Sequence, residues 1–348
     1  MLEYRRYDRD TYTFPIWDGD TVYNETLMFV GENEAPLLYY PDKVLSVLSY
    51  DLKTEYIEGE DYTVCDGRIV LTDNTRIPSF SLDEYYPKDA VAGKCFASTV
   101  EGRPYIFFSE GSVIFQRQIH VTYTHSDKWT GFIPQKTEKF KRFFEKAANG
   151  EPVKVLFYGD SISTGANSSG RVNCEPYAET WFDMVIGSMK KYFNNEMIEC
   201  VNTSVGGKNT EWALENLKER AIDIDPDIMF LAFGMNDAGR TPEVETSLIK
   251  KIIDEFSASC PNCDVALVAP MLPHFRLRGF WGNQKDFEAS FSALCDTYSF
   301  VGLVPVTSVP SAVREKKRYY DMTGNNVNHP NDFLARIYAQ TVNKVLFG

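Results

Sequence analysis

The stretch VKVLFYGDSISTG, residues 153–165, decides the fold. Residues 153–158 run through β-branched, aromatic and aliphatic types, the composition of a parallel strand covered on both faces. Gly159 and Asp160 break the strand, and Ser161 follows on a tight turn. In open α/β sheets ligands meet the chain outside the carboxyl ends of the strands, so a hydroxyl one step past a strand is well placed for chemistry. A serine after a strand most often does no more than cap the next helix. Ser161 becomes a candidate nucleophile because three later segments each bring one further part that acyl transfer needs.

Downstream of this stretch the pattern alternates. Strands are expected near 153–158, 197–202, 227–233, 264–269 and 301–306, separated by helical patterns near 176–193, 210–221, 242–258, 284–297 and 331–346. Pro176 and Pro242 stand at the first position of two of these helices. A further helix over 136–148, with Phe140, Phe143, Phe144 and Ala147 at helical spacing, leads into the first strand. Such alternation means a parallel sheet with helices on both faces.

Upstream the texture differs. Short aromatic and β-branched runs, TYTFPIW, ETLMFV, KVLSVLSY, RPYIFF and SVIFQRQIHVTYTH, are separated by turn signals at Asp18-Gly19, Gly59, Asp66-Gly67 and Glu110-Gly111. In the last run Ile119, Val121 and Tyr123 alternate with His120, Thr122 and Thr124, the period of a strand with one wet face. The chain therefore divides into an all-β accessory unit over 1–128, a β-sandwich or jelly roll, and an α/β unit over 129–348. The tyrosines and Trp17 of the first unit fit either a sugar-stacking surface or ordinary strand and core packing.

At 348 residues the chain is long for a single core, which agrees with two units. Its net charge of −13 disfavours nucleic acid, which needs a basic footprint, and anionic membrane surfaces. The N-terminus carries no apolar signal-peptide core, and no run is long enough to span a bilayer. Seven cysteines without framework spacing fit a reducing compartment, and a cytoplasmic location is the simplest reading. Cys260 and Cys263 have the spacing of a metal or redox pair, but no second pair matches them and Pro261-Asn262 reads as a turn, so no metal and no cofactor are expected. The acidic run 222–227 precedes a strand, at the far end from Ser161, and reads as a solvated loop.

Three segments bear the remaining chemistry. In VNTSVGGKNT, 201–210, Gly206 and Gly207 let a backbone N–H approach the strand ends with no Cβ in the way, as an oxyanion donor must. In LAFGMNDAG, 231–239, Asn236 offers a neutral amide donor at the same rim. In GNNVNHPNDF, 324–333, His329 lies on a loop just before the last helix, and a serine hydroxyl needs such a base near neutral pH. His120 and His125 read as surface strand residues. His274, after the fourth strand, and Asp160 are candidate substrate contacts.

With these blocks in hand the chain resembles the SGNH hydrolases, also called the GDSL esterase and acylhydrolase superfamily. The resemblance runs over roughly 153–340: GDSIS with Ser161, SVGGKNT with Gly207 matching the oxyanion glycine, GMND with Asn236, and NVNHP with His329. It implies a flavodoxin-like three-layer sheet, ester hydrolysis without a metal, His329 as base, and an oxyanion hole made by Ser161 N–H, Gly207 N–H and the Asn236 side chain. One position departs from the family: where an aspartate usually stands three residues before the histidine, this chain has Asn326. An asparagine orients an imidazole but does not stabilise the imidazolium by charge. The third member is thus open between Asn326, a backbone carbonyl, Asp321 and Asp332. Analogy with two-domain members points to a small-acyl deacetylase acting on a small-molecule or saccharide ester. The other readings are a non-catalytic carbohydrate-binding protein that kept the fold, and an acyltransferase using the same serine.

Overall fold

The computed structural model describes residues 6–348. Its centre is a five-stranded parallel sheet built from β10 (Val153–Gly159), β11 (Ile198–Asn202), β12 (Ile228–Ala232), β13 (Asp264–Val268) and β14 (Val301–Val304). The strands lie in the order β11-β10-β12-β13-β14, the 2-1-3-4-5 order of flavodoxin-like sheets. Alternate side chains of β10 feed two layers. Val153, Val155 and Phe157 join one apolar cluster with α4 (Trp181–Phe193) and α10 (Asp332–Phe347). Leu156 and Tyr158 join the other with α5 (Thr210–Glu215), α7 (Pro242–Ser259) and α8 (Gln284–Cys295). Burial on both faces is why these strands read as apolar runs.

Helix ends follow their caps. Thr241 caps α7 and Pro242 opens it, as the sequence suggests. Pro176 does not open a helix: 174–180 is irregular with a turn at 175–176, and α4 begins at Trp181, where the Thr180 side chain accepts from Asp183 N. The expected 210–221 helix divides at Asn216 into α5 and α6 (Leu217–Arg220), and the helix before β10 is α3 (Lys141–Ala148). The 301–348 region also holds α9 (Ser308–Arg314).

The N-terminal part opens with α1 (Arg9–Thr13), so TYTFPIW is helix and turns rather than strand. A four-stranded sheet runs β3 (Lys43–Ser49), β9 (Gln118–Thr124), β1 (Thr21–Val30), β6 (Ser79–Phe80). A three-stranded one runs β2 (Glu34–Pro36), β5 (Arg68–Leu71), β4 (Tyr62–Cys65). The β4–β5 turn has Asp66 and Gly67 at φ 48° and 71°, both left-handed, as a two-residue type I′ hairpin demands. A separate hairpin pairs β7 (Cys95–Val100) with β8 (Arg103–Phe107), after the short α2 (Leu82–Tyr85).

The wet face expected for β9 is not wet: His120 and Thr122 are buried, because Asn24 hydrogen-bonds both, through its backbone carbonyl and its side chain. His125 is also buried, stacked on Tyr39 with ring centroids 3.9 Å apart. One apolar cluster runs without a break from Leu27, Val47 and Ile69 to Val155, Val304 and Ile337. Among the described residues no helix is long and apolar enough to cross a membrane.

Candidate active site

Ser161 stands on the turn after β10, and close packing sets that turn. A Cβ on Gly159 would lie 2.6 Å from both Ala232 O and Ser163 Oγ, so only glycine lets β10 end so near β12. Backbone bonds from Thr164 N to Asp160 O and from Ala166 N to Ser161 O then wind the segment tightly. The serine remains 8% exposed, at the rim.

The histidine is held by its own loop. Asn325 Oδ1 accepts the N–H groups of Val327, Asn328 and His329 at 2.9, 3.0 and 3.0 Å, and Thr323 Oγ1 donates to His329 O at 3.0 Å. Asn331 Oδ1 caps α10 through Leu334 N, while its Nδ2 donates to Thr26 Oγ1 of β1 at 3.0 Å. So fixed, His329 Nε2 lies 2.9 Å from Ser161 Oγ, and Nδ1 lies 2.7 Å from Asn167 Oδ1. Asn167 Nδ2 donates to Gly324 O at 3.3 Å, which turns the amide oxygen to the ring. An amide oxygen only accepts, so Nδ1 carries the hydrogen and Nε2 is left with a lone pair aimed at the serine hydroxyl.

Asn326, the sequence candidate for the orienting role, stands elsewhere. Its backbone is left-handed at φ 65°, a conformation asparagine tolerates, and this aims Nδ2 at Phe107 O of β8, 3.1 Å away. The other candidates are committed too. Asp321 Oδ1 accepts Met28 N at 2.8 Å and pairs with Arg318. Asp332 Oδ1 accepts Ser169 N at 2.8 Å, and burial pushes its carboxyl up to about 6. The carboxylate near the ring is Glu110, whose Oε1 lies 3.5 Å from Nδ1.

The glycine block also reaches Ser161, and the asparagine block closes on the glycine block. A Cβ on Gly206 would lie 3.7 Å from Ser161 Cβ, whereas one on Gly207, at φ 73°, would meet nothing within 4 Å. Asn236 Nδ2 donates to Lys208 O at 2.8 Å, which closes its loop onto the glycine segment. Behind it, buried Asp237 accepts Thr210 N at 3.3 Å and pairs with Arg240, and Thr210 Oγ1 also donates to buried Glu245. Burial, reinforced at Glu245 by the neighbouring Asp237 charge, pushes both carboxyls up.

Two expected substrate contacts lie under the surface instead. Asp160 is 2% exposed, its Oδ1 accepts Ile162 N at 2.9 Å, and burial pushes it up to about 7. His274 is buried, with Nδ1 accepting Arg276 N at 3.1 Å. Burial, then the charges of Arg314 and Arg276, bring it down to about 3. Its backbone N–H donates to Val327 O at 2.8 Å, so it braces the histidine loop. Asn167, Asn325 and Glu110 were missed in the sequence. Asn167 had a faint signal, six residues past Ser161 on one turn, and Glu110 had only its turn-forming neighbour Gly111. Cys260 and Cys263 are free thiols buried in the turn between α7 and β13, and no cluster of three or more metal-ligating side chains forms among the described residues.

A profile of the GDSL-like Lipase/Acylhydrolase family matches residues 157–337. No curated protein sequence matches the chain. Among solved structures, a catalytic mutant of an acetylxylan esterase from Geobacillus stearothermophilus is 14% identical, with a TM-score of 0.46 over 56% of this chain and 94% of that one. A two-domain esterase active on acetylated mannans is 18% identical, with a TM-score of 0.46 over 61% of this chain and 53% of that one. The family match covers more than half of the chain and includes the turn of Ser161 and the loop of His329: the chain belongs to the GDSL-like lipase/acylhydrolase family and is a carboxylic ester hydrolase.

Proposed function

We propose that the protein is a serine esterase that removes short acyl groups, acetyl groups on saccharides above all, through an acyl-enzyme on Ser161. The observation that carries this reading is the line from Ser161 Oγ to His329 Nε2, at 2.9 Å, and from His329 Nδ1 to Asn167 Oδ1, at 2.7 Å. His329 takes the serine proton as Oγ attacks the ester carbonyl. The N–H groups of Ser161 and Gly207 and the amide of Asn236 hold the oxyanion. The imidazolium then protonates the leaving alcohol, and water, deprotonated by the same ring, releases the acid and restores the serine. In this reading residues 129–348 are the catalytic unit, and residues 1–128 are an accessory unit of the β-sandwich or jelly-roll kind.

One observation supports the substrate class. Along the rim, Phe275 is 42% exposed, with Trp281 6.5 Å away between ring centroids. The bond from His274 N to Val327 O ties this aromatic pair to the histidine loop, and the guanidinium groups of Arg276 and Arg314 lie over the Phe275 ring at 4.9 and 5.2 Å, so the cluster offers an exposed ring edge and hydrogen-bond donors to a saccharide.

The test is hydrolysis of p-nitrophenyl acetate, butyrate and octanoate by wild type and Ser161→Ala across roughly pH 5 to 9. Turnover should favour acetate and fall by about 10⁴-fold or more in the variant. Equal rates in two folded proteins would remove Ser161 from the chemistry and favour a carbohydrate-binding role. Acyl transfer to an added alcohol in preference to water would make the protein an acyltransferase.

A further inference from the structure

The family carboxylate is missing at position 326, yet the ring of His329 does not lack a negative charge. Glu110 Oε1 lies 3.5 Å from His329 Nδ1 and 3.4 Å from Asn325 Nδ2, the amide whose oxygen holds the histidine backbone. Glu110 comes from the turn after β8, in the N-terminal part of the chain. The residue that fastens this turn to the site is Asn326, through its Nδ2 bond to Phe107 O at the end of β8. The substitution and the new carboxylate are therefore two ends of one arrangement. An amide at 326 donates to a strand-end carbonyl, as a carboxylate does not, and the anchored strand delivers an acid three residues later.

We propose that Glu110 is the positioning carboxylate of His329: Asn167 fixes the ring's tautomer as a neutral acceptor, and Glu110 stabilises the imidazolium that forms when Ser161 loses its proton. The inference rests on the roles given above to Ser161 and His329. Its physical basis is the difference between orienting and charging. A carbonyl oxygen holds Nδ1–H in place, whereas a formal charge within 4 Å of a ring favours its protonated state. The side chain of Glu110 is 52% exposed, which weakens the interaction by solvent screening but leaves it accessible to substitution without opening a cavity. Burial alone would raise the Glu110 carboxyl, but its bond to and the charge of His329, with the amides of Asn325 and Asn167, outweigh burial and hold it below its usual value. Other charged groups near the ring are turned elsewhere: Asp332 to Ser169 N with Arg336 beside it, Asp321 to Arg318, and Asp160 to Ile162 N.

The experiment measures kcat and KM for p-nitrophenyl acetate against pH in wild type, Glu110→Gln, Glu110→Asp, Asn326→Asp and Ser161→Ala, with thermal unfolding of each. Glu110→Gln should lose roughly 10- to 100-fold in kcat with KM little changed, less than the about 10⁴-fold of a triad that loses its tautomer as well, because Asn167 remains. Its unfolding temperature should stay at the wild-type value. The acidic limb of its kcat/KM profile should move to lower pH, since a ring without the carboxylate beside it gives up its proton more readily; a merely structural residue leaves that limb in place. Glu110→Asp should recover part of the rate. Asn326→Asp should restore nothing and should lose rate, because it repels Phe107 O and releases the strand. Wild-type kcat and an unmoved limb in Glu110→Gln, with Ser161→Ala inactive, overturn the role of Glu110 alone. Full activity in Ser161→Ala overturns the nucleophile and the inference with it.

Discussion

The α/β part and the N-terminal part are held by different physics. The parallel sheet is sealed by apolar side chains on both faces: Val155, Phe157, Leu156 and Tyr158 of β10 are all fully buried. The N-terminal strands share that core on one side, but they are fastened to the C-terminal segment by buried polar groups. Lys317 Nζ pairs with Glu25, both side chains having no exposure, and donates to Thr26 O at 3.0 Å. Glu25 in turn accepts Tyr123 OH at 2.7 Å and Leu38 N at 3.0 Å. Arg336 reaches Tyr23 O, and Gln340 Nε2 donates to Tyr12 O and Phe14 O. Apolar packing tolerates small errors of position, whereas a buried polar join demands its partners. The join is therefore a specifying contact, and it lies beside the loop that carries His329.

The largest effect should come from breaking this join. Lys317→Met leaves Glu25 charged among buried neighbours and should cost about 3–5 kcal/mol, read from the urea midpoint. Glu25→Gln combined with Lys317→Met should recover much of that loss, because the uncompensated charge is gone. If the single and double variants are equally unstable, the pair acts by shape rather than by charge, and the contrast between the two parts weakens.

That contrast also explains what could be read from sequence. The five parallel strands were legible because two-sided burial leaves apolar runs, and α7 was legible from Thr241-Pro242 at its start. Ser161 and His329 were legible because each sits on a short local motif. What completes the site is non-local. Asn167 meets His329 across 162 positions, and Glu110 meets Asn325 across 215, with no spacing rule to join them. The face of β9 was misread for a related reason: His120 and Thr122 look like solvent-facing residues until Asn24, 98 positions from Thr122, is seen to satisfy the threonine hydroxyl.

The two parts should also respond with opposite sign over the same pH window. His120, in the N-terminal sheet, is brought down to about 4, by burial first. The unfolded chain binds that proton from about 6.5 downward, so the stability His120 contributes is present above that value and lost as pH falls toward 4. Asp160, beside Ser161, is pushed up to about 7, by burial first. Its contribution is full below about 4, where both states are protonated, and is lost as pH rises through 7. Between about pH 4 and 6.5 the two contributions oppose each other, and above about 7 neither changes further. With unfolding temperature followed from about pH 4.5 to 8.5, His120→Gln should leave a profile that falls as pH rises toward 7, and Asp160→Asn one that falls as pH drops below about 6.5. A variant that keeps the wild-type slope would mean that the substituted group does not change its protonation on folding.

The smallest effect should lie in the α/β part, where loss of one polar bond is local. Thr180 caps α4 through Asp183 N at 3.2 Å, and its Cγ2 packs so closely on the turn that carries Ser161 that a Cβ on Gly165 would lie 2.4 Å away. Thr180→Ala removes the cap and the methyl and should cost about 1 kcal/mol, within the usual range for a lost N-cap. Thr180→Ser keeps the cap and should cost less. Catalytic rate separates the two contributions more sharply than stability does. Cap loss frays the first turn of α4 and leaves Ser161 in place, whereas loss of the methyl loosens Gly165, four residues beyond Ser161. A kcat that falls in both variants while stability falls only in the alanine variant assigns the methyl to holding the turn. A cost in Thr180→Ala as large as that of Lys317→Met would show that the α/β part also depends on single polar contacts, and the distinction between its packing and the N-terminal join would have to be abandoned.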